Sequence, residues 1–418
     1  MSPRNLAREL ALALPTLRIV VVTLFGAFVR RLRRAMRMGG RHPLRVGVDI
    51  RPFYEPLTGV GWYLWHILDE LGRRDDVVLV LMGDARLTDD GPRLHASVPE
   101  RAEPCVIDLR GRALSRFTQA ITAVAYPALV WLEDCDVIFG ANYFLPRLMG
   151  AVATRRVITV HDLTYRRHPE LLQKETLDNL AREMTREIAR ADAIICVSEA
   201  TRRDLLELYP VHPSRAHAVR SGATPPILSS DDRGALPDRY LLFVSTVEPR
   251  KDLDTLIDAY EQLRDRGEYD GALVVVGRVG WKAEETVRRM CASRWRASIH
   301  HLDYVTRERL ATIYRHAEAF IMPSIYEGFG LPVLEAMGHG VPVIASRSSS
   351  LPEVGGDAAL YFEVRDADGL ARAIREVADD PATRARLVAS GRERIALFRW
   401  DEAAAMTLAV FRRAAGER

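Results

Sequence analysis

Two carboxylates, Glu327 and Glu335, flank a glycine-bearing turn in the stretch Pro323-Ser324-Ile325-Tyr326-Glu327-Gly328-Phe329-Gly330-Leu331-Pro332-Val333-Leu334-Glu335-Ala336-Met337. Glycines at 328 and 330 let the backbone come close to a ligand. Pro332 suits the first position of a helix, whose free N–H groups and positive dipole end favour an anion such as phosphate. Glu335, in the first turn of that helix, projects back toward its start, so its carboxylate reaches the cavity of Glu327. Singly, the two are a loop acid and a helix-start acid. Together with an anion site they suit a ligand carrying both hydroxyls and phosphate, a sugar nucleotide.

The elements that must hold this site follow from periodicity. The apolar run 319–322 reads as a short buried strand, and Gly338 and Gly340 end the helix after the turn. Further apolar, β-branched runs predict strands at 45–49, 77–82, 106–109, 137–139, 156–160, 193–197, 240–245, 273–276, 299–302 and 341–346, with helical stretches between them. That alternation specifies parallel α/β sheets, whose ligands bind past the carboxyl ends of strands. His161 and Asp162 follow the strand at 156–160. Gly59 and Gly61 lie in a turn, 57–61, after the first strand and before a helix at Trp62. Arg250 and Lys251 follow the strand at 240–245, where cations can neutralise a diphosphate, the arginine by bidentate contact and the lysine as a point charge.

At 418 residues the chain is long for one core, so two domains are expected. A 48 % apolar and 28 % charged composition is that of a globular protein, and a net charge of +3 with dispersed basic residues argues against nucleic acid as a partner. Cys105, Cys135, Cys196 and Cys291 are far apart without metal-ligand spacing, and read as reduced core residues of a cytoplasmic protein. Asp134-Cys135-Asp136 is a literal D-x-D, the pattern of a divalent-metal site, but it stands at a helix-to-strand junction where acids are common. Ser198 reads equally as a helix N-cap and as a ligand contact.

Residues 1–40 differ from the rest. An apolar stretch, 10–29, is interrupted by Pro15 and Arg18 and followed by Arg30, Arg31, Arg33, Arg34 and Arg37. Its uninterrupted part is shorter than the roughly 20 residues that span a bilayer, and arginines after the apolar run argue against a signal peptide. The segment reads as lying on the membrane face with its arginines at anionic head groups, the alternative being an ordinary packed or disordered leader.

The Glu327 to Glu335 spacing resembles the E-x7-E motif of retaining glycosyltransferases of the GT-B fold, and the surrounding words resemble family 4 almost letter for letter. The likeness covers about 44–415 and is most specific over 240–362. It implies an α/β GT-B chain of two doubly wound Rossmann-like domains facing a cleft. The parts are a leader (1–40), an acceptor-side domain (41–222), a linker (223–239), a donor-nucleotide domain (240–390) and a C-terminal helix (391–418) crossing back to the first domain, announced by Phe398-Arg399-Trp400-Asp401.

Residue by residue, the likeness implies catalytic roles for His161, Glu327, Arg250 and Lys251. Donor contacts fall to Gly59, Gly61, Thr246, Gly328, Phe329, Gly330, Leu331 and Glu335, with no metal and no other cofactor. Tyr304-Val305 lie near the base, and Ser350 and Glu353 face the cleft. Lys251 aligns with the lysine of the G-R-L-x-x-x-K-[GN] motif. Ser245-Thr246 replace its Gly-Arg, and Arg250 of the E-P-R-K wording stands in for the missing arginine. The reaction implied is metal-independent transfer of a hexose, mannose from GDP-mannose by the wording, to a hydroxyl of a lipid-linked or polysaccharide acceptor at the cytoplasmic membrane face, with retention. Alternatives are a UDP-sugar transferase with a small soluble acceptor and a non-catalytic sugar-nucleotide or partner-binding relative. A nicotinamide-dependent dehydrogenase is disfavoured, because no G-x-G-x-x-G follows a strand.

Overall fold

The central apolar runs, such as 137–140, 272–276 and 319–322, bury both faces, as strands covered on two sides by helices must, and the runs assemble into two all-parallel sheets. The computed structural model describes residues 3–36, 42–53, 57, 59–85, 102–108, 116–143, 145, 154–226, 232–303 and 305–416. The first sheet holds β1 (Leu44–Asp49), β2 (Val77–Ala85), β3 (Glu103–Asp108), β4 (Val137–Gly140), β5 (Arg155–Val160), β6 (Ala193–Cys196) and β7 (Ala216–Ala218) in the order β3-β2-β1-β4-β5-β6-β7. The second holds β8 (Tyr240–Val244), β9 (Ala272–Val276), β10 (Ile299–Leu302), β11 (Ala319–Met322), β12 (Val343–Ser346) and β13 (Ala359–Phe362) in the order β10-β9-β8-β11-β12-β13. Strand order reverses between β1 and β4 in one sheet and between β8 and β11 in the other. Such switch points open a crevice at the carboxyl ends of the strands. His161 leaves β5, Arg250 and Lys251 follow β8, and Glu327 follows β11.

The helix Trp400–Ala415 crosses from the second lobe to the first. Trp400 stacks on His66 at 4.5 Å, Phe411 meets Phe139 at 5.0 Å, and Arg412 pairs with Asp76 at 2.7 Å. A Cβ on Gly222 would lie 2.5 Å from the Trp400 ring, so the chain passes this point only as glycine. The crossing begins at Trp400 and not at 391, because the preceding helix, Pro381–Ile395, is still packed on the second lobe with Gly391 against Met337.

Two other expectations change. The helix Pro3–Ala35 runs straight through Pro15 and Arg18. It lies along the helix Arg116–Leu132, with Val20 and Ala27 buried and Arg30 donating to Glu133 at 2.6 and 2.8 Å. Cys291 is exposed, near the end of the helix Glu284–Ala292, whereas the other three cysteines are buried. The D-x-D acids have structural partners: Asp136 accepts the Arg45 N–H at 2.8 Å, and Asp134, with φ 51°, pairs with Arg31 at 2.6 Å. Among the described residues no cluster of metal-ligating side chains occurs.

Candidate active site

The loop after β11 is tied down by serines. Ser349 Oγ accepts the Glu327 N–H and donates to its carbonyl, both at 2.8 Å, and Ser350 Oγ donates to the carbonyls of Glu327 and Phe329 at 3.0 and 2.8 Å. Gly330, at φ +106°, caps the helix Leu331–Gly338, which starts at Leu331 with Pro332 second. A Cβ on Gly328 would lie 1.7 Å from the His161 carbonyl oxygen, so this glycine lets the two lobes meet backbone to backbone. What comes close to Gly328 here is the backbone of the opposite lobe. Phe329 is buried with its ring 5.8 Å from Phe398, a packing contact, and Leu331 is half-buried.

Four charges gather beneath this loop. Lys251 Nζ donates to Glu327 Oε1 at 2.5 Å, and Arg250 Nη1 to Glu327 Oε2 at 3.0 Å. Arg250 also pairs with Glu248 at 2.8 Å, and Ser324 Oγ adds a 2.7 Å bond to Glu327. Burial alone would push the Glu327 carboxyl up, but Lys251 and Arg250 outweigh it and hold it at about 2. Burial dominates at Glu248, whose carboxyl is raised despite Arg250. Lys251, Glu248 and Glu327 are each less than a tenth exposed, so the cluster is one neutral, desolvated unit. The carboxylates of Glu327, Asp162 and Glu248 all act on the Arg250 guanidinium.

His161 sits across the cleft, its ring edge-on to Tyr63 and Tyr143 at 5.1 and 5.5 Å. Nε2 lies 2.7 Å from the Ala141 carbonyl, which can only accept, so Nε2 carries the proton and Nδ1 the lone pair. Burial lowers the affinity of the ring for a second proton and keeps it neutral. Asp162 turns back to accept the Thr164 N–H at 3.0 Å.

Glu335 has partners of its own. It accepts from Tyr314 Oη at 3.1 Å, and Tyr314 is stacked on His339 at 5.5 Å. Burial raises its carboxyl, and Arg307 partly offsets this. Arg307 itself lies over the Trp62 ring of the first lobe at 4.3 Å, a cation–π contact across the cleft. The Gly59-x-Gly61 turn is already helical, since the helix Gly59–Gly72 starts there. The space beside Gly59 is open, and Gly61 packs on Leu57. Thr246 is exposed beside Gly280. Tyr304 lies outside the described residues.

Ser198 both caps its helix, accepting the Thr201 N–H at 3.0 Å, and donates to the Gly328 carbonyl at 2.7 Å. Glu353 reaches over to accept the Glu199 and Ala200 N–H groups at 3.0 and 3.1 Å. Sequence reasoning missed Glu248, Tyr314 and the Trp62–Arg307 pair. Glu248 had a signal, standing two residues before Arg250 in E-P-R-K. The other two are juxtapositions that only the tertiary fold creates.

Two doubly wound lobes joined by a returning helix, with a cation pair and two acids at the switch point of the second lobe and His161 of the first lobe across from them, define the GT-B class of glycosyltransferase. Comparison with known proteins agrees. Residues 231–394 match Glycosyl transferases group 1, and residues 57–225 match Glycosyltransferase Family 4. The chain is 29 % identical to the O-antigen chain mannosyltransferase B of Escherichia coli, over 86 % of this chain and 97 % of that one. It is 30 % identical to a D-inositol 3-phosphate glycosyltransferase of Xylanimonas cellulosilytica, over 74 % and 79 %. Sucrose-phosphate synthase from Thermosynechococcus elongatus shares the fold with a TM-score of 0.69 at 21 % identity, covering 89 % of this chain and 99 % of that one. The chain belongs to glycosyltransferase family 4.

Proposed function

We propose that this glycosyltransferase moves a hexose, mannose from GDP-mannose, to a hydroxyl of a lipid-linked or polysaccharide acceptor in bacterial surface-glycan synthesis, with retention and without a metal ion. The observation that carries the reading is the Arg250–Lys251 pair, buried against Glu327 beneath the start of the helix Leu331–Gly338. Two fixed cations and a helix N-terminus meet the growing charge of a departing diphosphate, the role a metal fills elsewhere. Support for mannose is the 29 % identity to an O-antigen mannosyltransferase along nearly its whole length.

In this reading the bond between the anomeric carbon and the diphosphate oxygen breaks, and the acceptor oxygen bonds to the same face. The acceptor proton passes to the leaving phosphate oxygen. No protein nucleophile is needed. Glu327 holds sugar hydroxyls, Glu335 the ribose hydroxyls, and neutral His161 accepts a hydrogen bond from the sugar through Nδ1. Gly59, Gly61, Thr246 and the backbone of Gly328, Phe329, Gly330 and Leu331 line the donor. A second reading, a small soluble acceptor with a UDP-sugar, draws on the likeness to the inositol-phosphate enzyme.

Metal-free calorimetric titration with GDP, UDP, ADP and their sugars tests this. GDP-mannose is expected to bind selectively, and Lys251→Ala and Glu335→Ala each to weaken it at least tenfold. Selective UDP-sugar binding would favour the second reading. No binding to folded protein would overturn the donor site.

A further inference from the structure

The helix Pro3–Ala35 is apolar on more than the side it buries. One stripe, with Val20 and Ala27, packs on the helix Arg116–Leu132. A second stripe faces outward. Leu17, Val21, Phe25, Phe28, Leu32 and Met36 recur at steps of three and four, which places them along one face. They are between 43 and 78 % exposed, far too open for a core contact. The stripe extends about 29 Å. A continuous apolar face of that length marks an interaction site.

The charges beside it select the occupant. From Leu10 to Arg37 the sequence holds Arg18, Arg30, Arg31, Arg33, Arg34 and Arg37 and no aspartate or glutamate. Arg30 and Arg31 are bound to Glu133 and Asp134 of the first lobe, which fixes the helix to the body. Arg18 and Arg33 are exposed at the border of the stripe. Arg31 also lies 4.2 Å over the ring of Trp131, itself 54 % exposed, an aromatic of the kind that settles at head-group depth. Among the described residues no helix is long and apolar enough to cross a membrane. A moderately apolar face bordered by cations alone is the pattern of a helix lying in an anionic lipid surface.

We infer that the face Leu17–Met36 docks this enzyme on anionic phospholipid, with the helix in the plane of the interface and Arg18 and Arg33 on lipid phosphates. Because Arg30 and Arg31 clamp the helix to the first lobe, docking holds that lobe, the acceptor side, at a set orientation to the bilayer. This deepens the proposed function by giving the lipid-linked acceptor a surface, and it rests on that reading only for its purpose.

Co-sedimentation of the full chain with vesicles tests it without requiring turnover. Binding to phosphatidylglycerol vesicles is expected to exceed binding to phosphatidylcholine at least tenfold and to weaken with salt. Val21→Glu/Phe25→Glu, both at exposed positions, should lose at least tenfold in binding while thermal midpoint and nucleotide affinity stay unchanged. Arg18→Glu/Arg33→Glu should lose the preference for anionic lipid. Wild-type protein that ignores every vesicle overturns the inference, as does undiminished binding by Val21→Glu/Phe25→Glu. A dimer in light scattering that this variant splits, without vesicle binding, assigns the stripe to a second copy and also overturns it. Failure of the sugar-transfer reading would appear separately, as absent nucleotide binding with sedimentation intact.

Discussion

Lys251 and Glu327, from different strand-to-helix loops, form a 2.5 Å ion pair that is almost wholly withdrawn from water. Breaking one side of such a pair leaves an uncompensated buried charge, at a cost of about 3–5 kcal/mol. Lys251→Met should therefore lower stability by about 3 kcal/mol in denaturant titration. Adding Glu327→Gln should recover most of that loss while donor binding stays weakened. If the single variant is as stable as the parent, the pair is not the desolvated unit described.

A second prediction concerns pH. Asp252, buried next to this pair at φ 51°, has its carboxyl pushed up to about 6, chiefly by burial. A carboxyl raised on folding favours the native state only while protonated. Its stabilising share is present near and below the ordinary 3.8 and is lost as pH rises through about 6. Asn tolerates the same backbone and can still accept from Thr255. Asp252→Asn should add about 1–2 kcal/mol at pH 7.5 and almost nothing at pH 4. Equal gains at both would show that ionisation is not the cause.

Glu327 runs the other way. Held at about 2, it contributes stability that is complete above the usual carboxylate range and drains away as pH falls toward 2. Acid unfolding followed by circular dichroism should move to lower pH in Glu327→Gln relative to its own neutral-pH stability.

Gly328→Ala tests the meeting of the lobes. Its Cβ would fall 1.7 Å from a backbone oxygen, which cannot swing aside as a side chain can. Transfer should drop at least about 100-fold, the scale of a misplacement near 1 Å. Each lobe should keep its helix content while small-angle scattering reports a larger radius. A rate within tenfold of the parent would mean that the approach is not needed for the reaction.

Tyr314→Phe removes the hydroxyl that donates to Glu335 at 3.1 Å. Loss of that hydrogen bond, about 1 kcal/mol, should weaken nucleotide affinity about fivefold in calorimetry. Unchanged affinity would detach Glu335 from the ribose.

Much of this was legible before any coordinates. Parallel sheets follow from runs such as 156–160 and 240–244, apolar on both faces, and the word around Glu327 carried the second lobe. What could not be read is what depends on distant contacts. β7 and β13 are short edge strands whose neighbours supply their order. Gly328 is a glycine because of His161, far away in sequence. Glu335 and Glu327 look paired along the chain, yet Tyr314 and Lys251 claim them separately. Pro15 and Arg18 interrupt the apolar stretch in sequence, yet one helix, Pro3–Ala35, runs through both along the helix Arg116–Leu132.

The helix Trp400–Ala415 also bears on how the protein is made. It covers Tyr63, His66 and Phe139 of the first lobe, yet it is translated only after the entire second lobe. On the ribosome the first lobe therefore waits with an aromatic face unsealed, and a nascent chain stalled before 400 would present that face to chaperones. The lobe that begins folding first is the last to be finished.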